Sequence, residues 1–463
     1  MADEIKFGTD GWRGVIGDNF IFANVRRVAE AAARYVLASG EARRGIVVGC
    51  DTRFLSPESA DLVAQVIAAA GIPVILADRA TPTPAVSYAV VAREAAAALM
   101  ITASHNPYRW NGIKFKASYG GSAAPAIIKE IEKNLSPSSE LLTPSRKAPG
   151  ASVTTCDLVK PYLDQMKRMV RLEPIRASGL RFVIDPMYGA ARGAIGGLFA
   201  EAGIPCQEIH GEHNPLFPGL NPEPIEPHVE GLRQAVAQSN AQAGFATDGD
   251  GDRLGAIDAT GAFIDSHKIF AILLKHLVED LGRRGEVVRT FSTTTLVDKI
   301  ARKHHLPRHV TPIGFKYVCE LMLSRDVLIG GEESGGIGIK GHLPERDGVL
   351  NSLLLAEVMA KKGRTLGELV RELDEEFGPH CYGRVDLEIE RPAIERTLRL
   401  VKERRIGSVA GRTVSALEDL DGFKMLFGDS AWLLVRASGT ENLLRLYAEA
   451  PSPEDVKRML DEM

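Results

Sequence analysis

Three aspartates alternate with glycine in the run Asp248-Gly-Asp-Gly-Asp-Arg253. The glycines let the backbone bend, so Asp248, Asp250 and Asp252 can aim hard oxygen ligands at one cation. Magnesium is the natural guest when a phosphate supplies further oxygens. A calcium EF-hand is excluded, because that loop needs glycine sixth and glutamate twelfth, where this chain has Arg253 and Ala259. Carboxylates this close repel one another unless something compensates, so an acidic turn without a cation is the poorer reading.

Ser104 is a second candidate, in the order Thr-Ala-Ser-His-Asn-Pro from Thr102 to Pro107. Alone it reads as a capped turn. Beside a divalent-ion site and a basic neighbour it becomes a candidate for covalent phosphoryl transfer. A phosphoserine carries nearly two negative charges and is matched by a divalent cation and by an arginine such as Arg253. Lys114, in NGIKF, is the nearest lysine downstream and can shuttle a proton or steady the transferred group. Two further loops differ in kind. Gly331–Gly336, GEESGG, places Glu332 and Ser334 between glycines and suits sugar hydroxyls. Arg436–Asn442, RASGTEN, has the make-up of a phosphate cradle: Arg436 can hold two oxygens at once, Ser438 and Thr440 offer donors, and Gly439 frees the backbone. Arg13 in KFGTDGWRG and Lys316 in TPIGFK are cations beside glycine.

These loops must be positioned by the elements around them. VRRVAEAAARYVLAS has the helical period, with Asn24 as its expected cap and Gly40 as its stop. GIVVGCD, PVILAD and AAALMIT read as buried strands separated by helices, the first opened by Ser56-Pro57, and this alternation implies βαβ units and a largely parallel sheet. The Pro- and Ser-rich segment from Asn134 to Ser152 reads as a linker. The alternation restarts at LRFVID, and again after a hairpin expected around Asp258–Gly261. From about Cys381 the texture changes to that of a smaller α+β domain, with a helix near Glu395–Arg405. Each candidate loop directly follows an apolar strand, and ligands of open parallel sheets gather beyond the carboxyl ends of strands. One cleft bordered by all four loops would explain the shared placement.

The totals set bounds. At ~150 residues per domain, 463 residues predict about three domains. A net charge of −4 gives no global field for nucleic acid or acidic lipid, so local cations must hold any anionic ligand. The five cysteines are scattered, none in CxxC spacing, which argues against a disulfide framework or zinc site and for a reducing compartment. MADEIKFG lacks the regions of a signal peptide, and the most apolar stretch is too short to span a bilayer. A cytoplasmic protein is expected.

TASHNP, DGDGDR, GEESGG and RASGTEN, in this order and at these separations, resemble the α-D-phosphohexomutase family, which includes phosphoglucomutase and phosphomannomutase. The likeness covers essentially the whole chain. It implies three related mixed α/β domains plus a smaller C-terminal α+β domain around a central cleft. The expected division is 1–151 with the phosphoserine loop, 152–256 with the metal loop, 257–378 with the sugar loop and 379–463 with the phosphate loop. It also implies that Ser104 is phosphorylated and, with that phosphate, joins Asp248, Asp250 and Asp252 in holding Mg2+. Glu332 and Ser334 would bind sugar hydroxyls, and Arg436, Ser438, Gly439 and Thr440 the substrate's existing phosphate. Lys114 and Arg13 match family positions near the reacting groups, and His105 follows the phosphoserine.

Two departures from the family stand out: Gly336 where many members have histidine, and Asn442 where the phosphate loop usually has proline. The stretch HLPERDG resembles the phosphoglucomutase branch, in which a basic residue near Arg346 lies by the reacting hydroxyl; arginine itself stays protonated and is a poor base. The expected activity is interconversion of hexose 1-phosphate and 6-phosphate, foremost of glucose and also of mannose, through a hexose 1,6-bisphosphate. A glucosamine phosphate substrate, a sugar phosphatase and a silent sugar-phosphate-binding module are the alternatives. Expected partners are sugar phosphates, not nucleic acid or membrane, for a monomer or dimer.

Overall fold

Strands with unbroken runs of Val, Ile and Ala are buried on both faces and need helices on either side of a parallel sheet. The computed structural model, which describes residues 5–8, 10–136, 151–428, 430–438 and 442–463, contains three such units. The first sheet runs Trp12–Val15, Trp110–Ala117, Ala97–Ile101, Ile46–Cys50, Val74–Ala77 and Val153–Cys156 from edge to edge. The second runs Phe263–Ile264, Leu254–Asp258, Ala243–Thr247, Phe182–Asp185 and Cys206–Glu208. The third runs Arg308–Thr311, Glu286–Thr290, Val327–Gly331 and Ile337–Ile339. Each has a parallel core, and in each the last parallel strand turns back into an antiparallel neighbour: Ala97–Ile101 into Trp110–Ala117, Ala243–Thr247 into Leu254–Asp258, and Val327–Gly331 into Ile337–Ile339. A fourth sheet is antiparallel throughout, in the order Cys381–Glu388, Leu443–Ala450, Trp432–Ala437, Phe423–Leu426 and Ala416–Glu418.

The three turnbacks carry the loops at 102–109, 248–253 and 332–336, and the fourth motif falls between the strands Trp432–Ala437 and Leu443–Ala450 in the sequence. The repeated placement has a topological cause. In the three α/β units each motif sits where a parallel core gives way to an antiparallel edge, beyond the carboxyl end of a fully buried strand.

Several local expectations shift. The first helix is Phe22–Ala38, three residues longer at its start than the pattern indicated, and Ile21, with no side-chain hydrogen bond, precedes it. Asn24 is therefore not the cap. It lies in the first turn, its Nδ2 donating to Asn19 O (2.8 Å) and its Oδ1 accepting from Arg27 (2.9 Å). The helix expected near Glu395–Arg405 runs over Arg391–Lys402 and opens on Pro392. Most of the expected linker, residues 137–150, lies outside the described residues. Beyond it Val153–Cys156 pairs in parallel with Val74–Ala77, so the first sheet takes its edge strand from past residue 151.

Helices Pro125–Lys133, Val159–Met169 and Leu366–Phe377 have apolar stripes that pattern reading passed over, and one more helix has no stripe at all. Gly348–Lys362 is buried at every position from Gly348 to Met359, so no polar face marks it. Leu366–Phe377 follows, capped at both ends of its first turn by Thr365 and Glu368. The buried helix belongs to the largest apolar core, which joins the second and third units through Phe182, Phe199 and Phe245 on one side and Leu328, Leu353 and Leu354 on the other. The first and fourth sheets have cores of their own. All five cysteines are free, and no helix among the described residues is long and apolar enough to cross a membrane.

Candidate active site

Ser104 has left-handed backbone (φ 54°) and is 1% exposed. Its hydroxyl donates to Asp248 Oδ2 at 2.7 Å, joining the turns of the first and second units. Close backbone approach permits this: a Cβ on Gly249 would lie 2.5 Å from Ser104 O, so only glycine fits there. Asp248, Asp250 and Asp252 are all buried, and a ligand oxygen of each lies within 4.8 Å of the others. Asp248 Oδ1 accepts from the backbone amides of Asp252 (3.0 Å) and Arg253 (3.1 Å), which curls the loop around its first carboxylate.

Lys114 supplies the compensation that the acidic run demanded. Its Nζ lies 2.8 Å from Asp250 Oδ2, 2.9 Å from Asp252 Oδ2 and 3.2 Å from Asp10 Oδ2. Burial alone would favour a neutral lysine, but Asp250, Asp252 and Asp10 outweigh it and raise the ammonium's pKa. Burial likewise pushes Asp250 upward, yet Lys114 and the Thr83 hydroxyl hold it below the usual carboxylate range. At Asp248 the more distant charges of Arg253 and Lys114 are outweighed, and burial reinforced by Asp252 and Asp250 raises it well above that range. Asp250 Oδ1 and Asp252 Oδ1 are buried without a hydrogen-bond partner, as oxygens prepared for a hard cation would be. The donor set thus fits Mg2+.

The third unit reaches the same network through Arg346, whose Nη2 contacts Asp252 Oδ2 (2.7 Å) and Asp10 Oδ2 (2.5 Å) and whose Nη1 contacts Glu332 Oε2 (3.4 Å). Its guanidinium also lies 5.6 Å from the centre of the Phe315 ring. The glycine that replaces the family's histidine now has a physical account, since a Cβ on Gly336 would lie 2.1 Å from Arg346 Cδ. The arginine occupies the space a side chain there would need. Glu332 is 6% exposed, and burial lifts its pKa to about 7 despite the opposing charge of Arg346. Ser334 is half-buried in the same turn, which Glu332 N closes onto Gly336 O at 3.0 Å.

Arg253 lines the trio at 3.9 Å from Asp248 Oδ2, and Arg13 Nη1 donates to Asn106 Oδ1 (2.5 Å) beside the Ser104 turn. His105 has a buried Nδ1 without a partner; burial, then the charges of Arg253 and Arg13, lower its pKa and keep the ring neutral. Two predicted cations make their contacts elsewhere. Lys316 Nζ lies over its neighbour Tyr317, 5.2 Å from the ring centre, and Arg436 pairs with Asp421 (2.8 Å) within the fourth sheet's domain. Ser438 is buried next to Arg436, its amide bonded to Leu443 O (2.8 Å), while Gly439 and Thr440 lie outside the described residues.

Four residues that pattern reading did not single out complete the arrangement. Asp10 bridges Lys114, Lys116 and Arg346, and those three cations hold it well below the carboxylate range against the effect of burial. Lys116 pairs with Glu345 at 2.6 Å. Thr83 binds Asp250 through both amide and hydroxyl. Arg53 holds the Ser104 turn by its carbonyls. Asp10 was within reach, three residues before a cation already noted; the others acquire meaning only from contacts across the chain.

Family profiles for the domains of phosphoglucomutase/phosphomannomutase match in order: alpha/beta/alpha domain I at residues 4–141, domain II at 160–261, domain III at 265–377 and the C-terminal domain at 396–463. A phosphoglucomutase/phosphomannomutase of Thermococcus kodakarensis is 30% identical over 98% of this chain and 96% of its own. A phosphoglucosamine mutase of Limosilactobacillus reuteri is 32% identical over 99% of this chain and 96% of its own. A crystal structure from Thermus thermophilus, assigned as a phosphomannomutase, is 36% identical and superimposes with a TM-score of 0.88 over 100% of this chain and 98% of that one. This chain belongs to the phosphoglucomutase/phosphomannomutase family and is an intramolecular phosphotransferase of the α-D-phosphohexomutase type.

Proposed function

We propose that the chain interconverts hexose 1-phosphate and hexose 6-phosphate through a phosphoserine at Ser104, with glucose phosphate as preferred substrate and mannose phosphate as a second. The observation that carries this reading is the Ser104 hydroxyl, 2.7 Å from the first of three buried aspartates. In the forward half-reaction the P–O bond to Ser104 breaks as a P–O bond to the free sugar hydroxyl forms. The proton lost by that hydroxyl is balanced by the one Ser104 Oγ gains. The hexose 1,6-bisphosphate then presents its other phosphate, which returns to Ser104 and releases the isomer.

Asp248, Asp250 and Asp252 would hold Mg2+, which when bound neutralises charge on the transferring phosphoryl group. Lys114, Arg13 and Arg253 steady that group from the protein side, and neutral His105 adds no charge of its own. Glu332 and Ser334 accept and donate to sugar hydroxyls common to both orientations. Arg436, Ser438, Gly439 and Thr440 hold the phosphate not in flight, with Lys316 beside the sugar. Positioning and charge neutralisation are what such a transfer requires. Arg346, fixed among Asp10, Asp252 and Glu332, serves as an electrostatic clamp on the reacting hydroxyl.

A second reading, a phosphoglucosamine mutase, is supported by the name of the Limosilactobacillus reuteri relative. A coupled assay comparing the 1-phosphates of glucose, mannose and glucosamine decides between them. The proposal expects kcat/KM highest for glucose, with turnover lost on chelation and restored by Mg2+. Highest kcat/KM for glucosamine phosphate would favour the second reading, and net release of inorganic phosphate would mark a phosphatase.

A further inference from the structure

Resting on the reading of Ser104 as the phosphoryl carrier, we propose that Asp51 and Arg53 are positioning residues that fix this serine's backbone from both sides, leaving its hydroxyl alone to face the acidic trio.

Arg53 is 1% exposed and follows the strand Ile46–Cys50, the immediate parallel neighbour of the strand that delivers Ser104. Its guanidinium spends its donors on the turn: Nη2 to Ser104 O (2.6 Å) and Asn106 O (2.6 Å), Nη1 to Pro107 O (3.0 Å) and Trp110 O (3.1 Å). Nε donates to Asp51 Oδ2 at 3.1 Å. Asp51 in turn accepts the Thr102 hydroxyl at 2.7 Å, and that hydroxyl oxygen accepts the amide of Ser104 at 2.8 Å. Both backbone polar groups of Ser104 therefore end on one ion pair, the carbonyl directly and the amide through Thr102.

That arrangement answers a physical need. A serine at φ 54° sits in a region that side-chain-bearing residues avoid, and it persists only where its surroundings over-determine it. Five donors in a rigid plane suit the task, and lysine, with three donors on a point charge, cannot reproduce them. The Arg53 guanidinium is itself backed by Phe217 of the second unit, 5.1 Å from the ring centre, so the lock reaches the unit that carries the aspartates.

The test uses the full chain with Mg2+ and glucose 1,6-bisphosphate, following single-turnover phosphorylation of Ser104 by intact mass. Thr102→Val, which keeps the shape but removes the hydroxyl, should slow the transfer by about 100-fold, the loss a misplacement of about 1 Å can cause. Thr102→Ser should restore it, and KM for sugar phosphate should change little in either. Arg53→Lys should behave as Thr102→Val does. Should Arg53→Lys not fold, the Thr102 pair decides. Wild-type transfer in Thr102→Val, or loss in Thr102→Ser as severe as in Thr102→Val, overturns the proposal. Ser104→Ala run in parallel separates the two claims: turnover in that variant sinks the phosphoserine reading itself, whereas its inactivity beside a fully active Thr102→Val sinks only the positioning role.

Discussion

Glu332 is a carboxyl group placed where its charge is poorly hydrated, and this has a measurable consequence for stability. Its folded-state pKa of about 7 lies above the ordinary value of 4.5. Between those values the folded state binds more protons than the unfolded one, so stability falls as pH rises through that window. Glu332→Gln is expected to raise metal-free stability by about 1–3 kcal/mol at pH 8 and by nothing below pH 4, from denaturant unfolding at both. Gly336 is a second residue whose replacement has a measurable cost. Alanine there would force Arg346 aside, since its Cβ and Arg346 Cδ would be 2.1 Å apart. Turnover of Gly336→Ala should fall by about 100-fold through the displaced guanidinium, with KM for sugar phosphate altered far less. Legibility differs sharply at this scale. Glycine-spaced aspartates and an ordered set of short motifs are local in sequence, so Ser104, Lys114 and the acidic trio could be picked out from the chain alone. Arg53 and Thr83 could not, because each acts on a residue far along the chain and neither sits in a pattern that announces it.

At the scale of elements, the hairpin between a parallel core and its antiparallel edge is the unit that carries each α/β motif. The inner parallel strands, such as Ile46–Cys50, Ala97–Ile101 and Phe182–Asp185, were readable from apolar runs bounded by turn residues, whereas the antiparallel partners Trp110–Ala117 and Ile337–Ile339 were not. Nor was helix Gly348–Lys362, because a helix buried on every side, with Asn351, Ser352 and Glu357 buried too, has no stripe to detect. That helix also positions chemistry, since Arg346 lies just ahead of its cap. Asp347 accepts from Leu350 N (2.8 Å), from the Tyr162 hydroxyl (2.7 Å) and from His342 Nε2 (3.0 Å), tying the helix start to helix Val159–Met169. Tyr162→Phe should therefore cost about 2 kcal/mol of stability, the range for a hydrogen bond to a buried charged group, as read from the urea midpoint. A change below about 0.5 kcal/mol would show the tie to be idle.

For the whole molecule, the division of the apolar core matters more than the number of sheets. The second and third units share one continuous core, while the first and fourth sheets pack around their own. Hydrogen exchange should accordingly find helices Ala194–Ala202 and Gly348–Lys362 opening together, with one common free energy, although different sheets own them. Separate opening would place the cooperative boundary between the units instead. Three repeated units were legible from the recurring strand and helix pattern, but their shared core was not, because it depends on the unmarked helix. The proposed phosphoryl relay draws on all of this, since Ser104, the aspartates and Arg346 come from different units. Its most direct test is rapid quenching during turnover of glucose 1-phosphate with Mg2+ and a trace of the 1,6-bisphosphate, followed by mass analysis of the peptide bearing Ser104. Phosphoryl occupancy of Ser104 should rise and fall at least as fast as product forms. Steady product formation with Ser104 never phosphorylated would contradict the account.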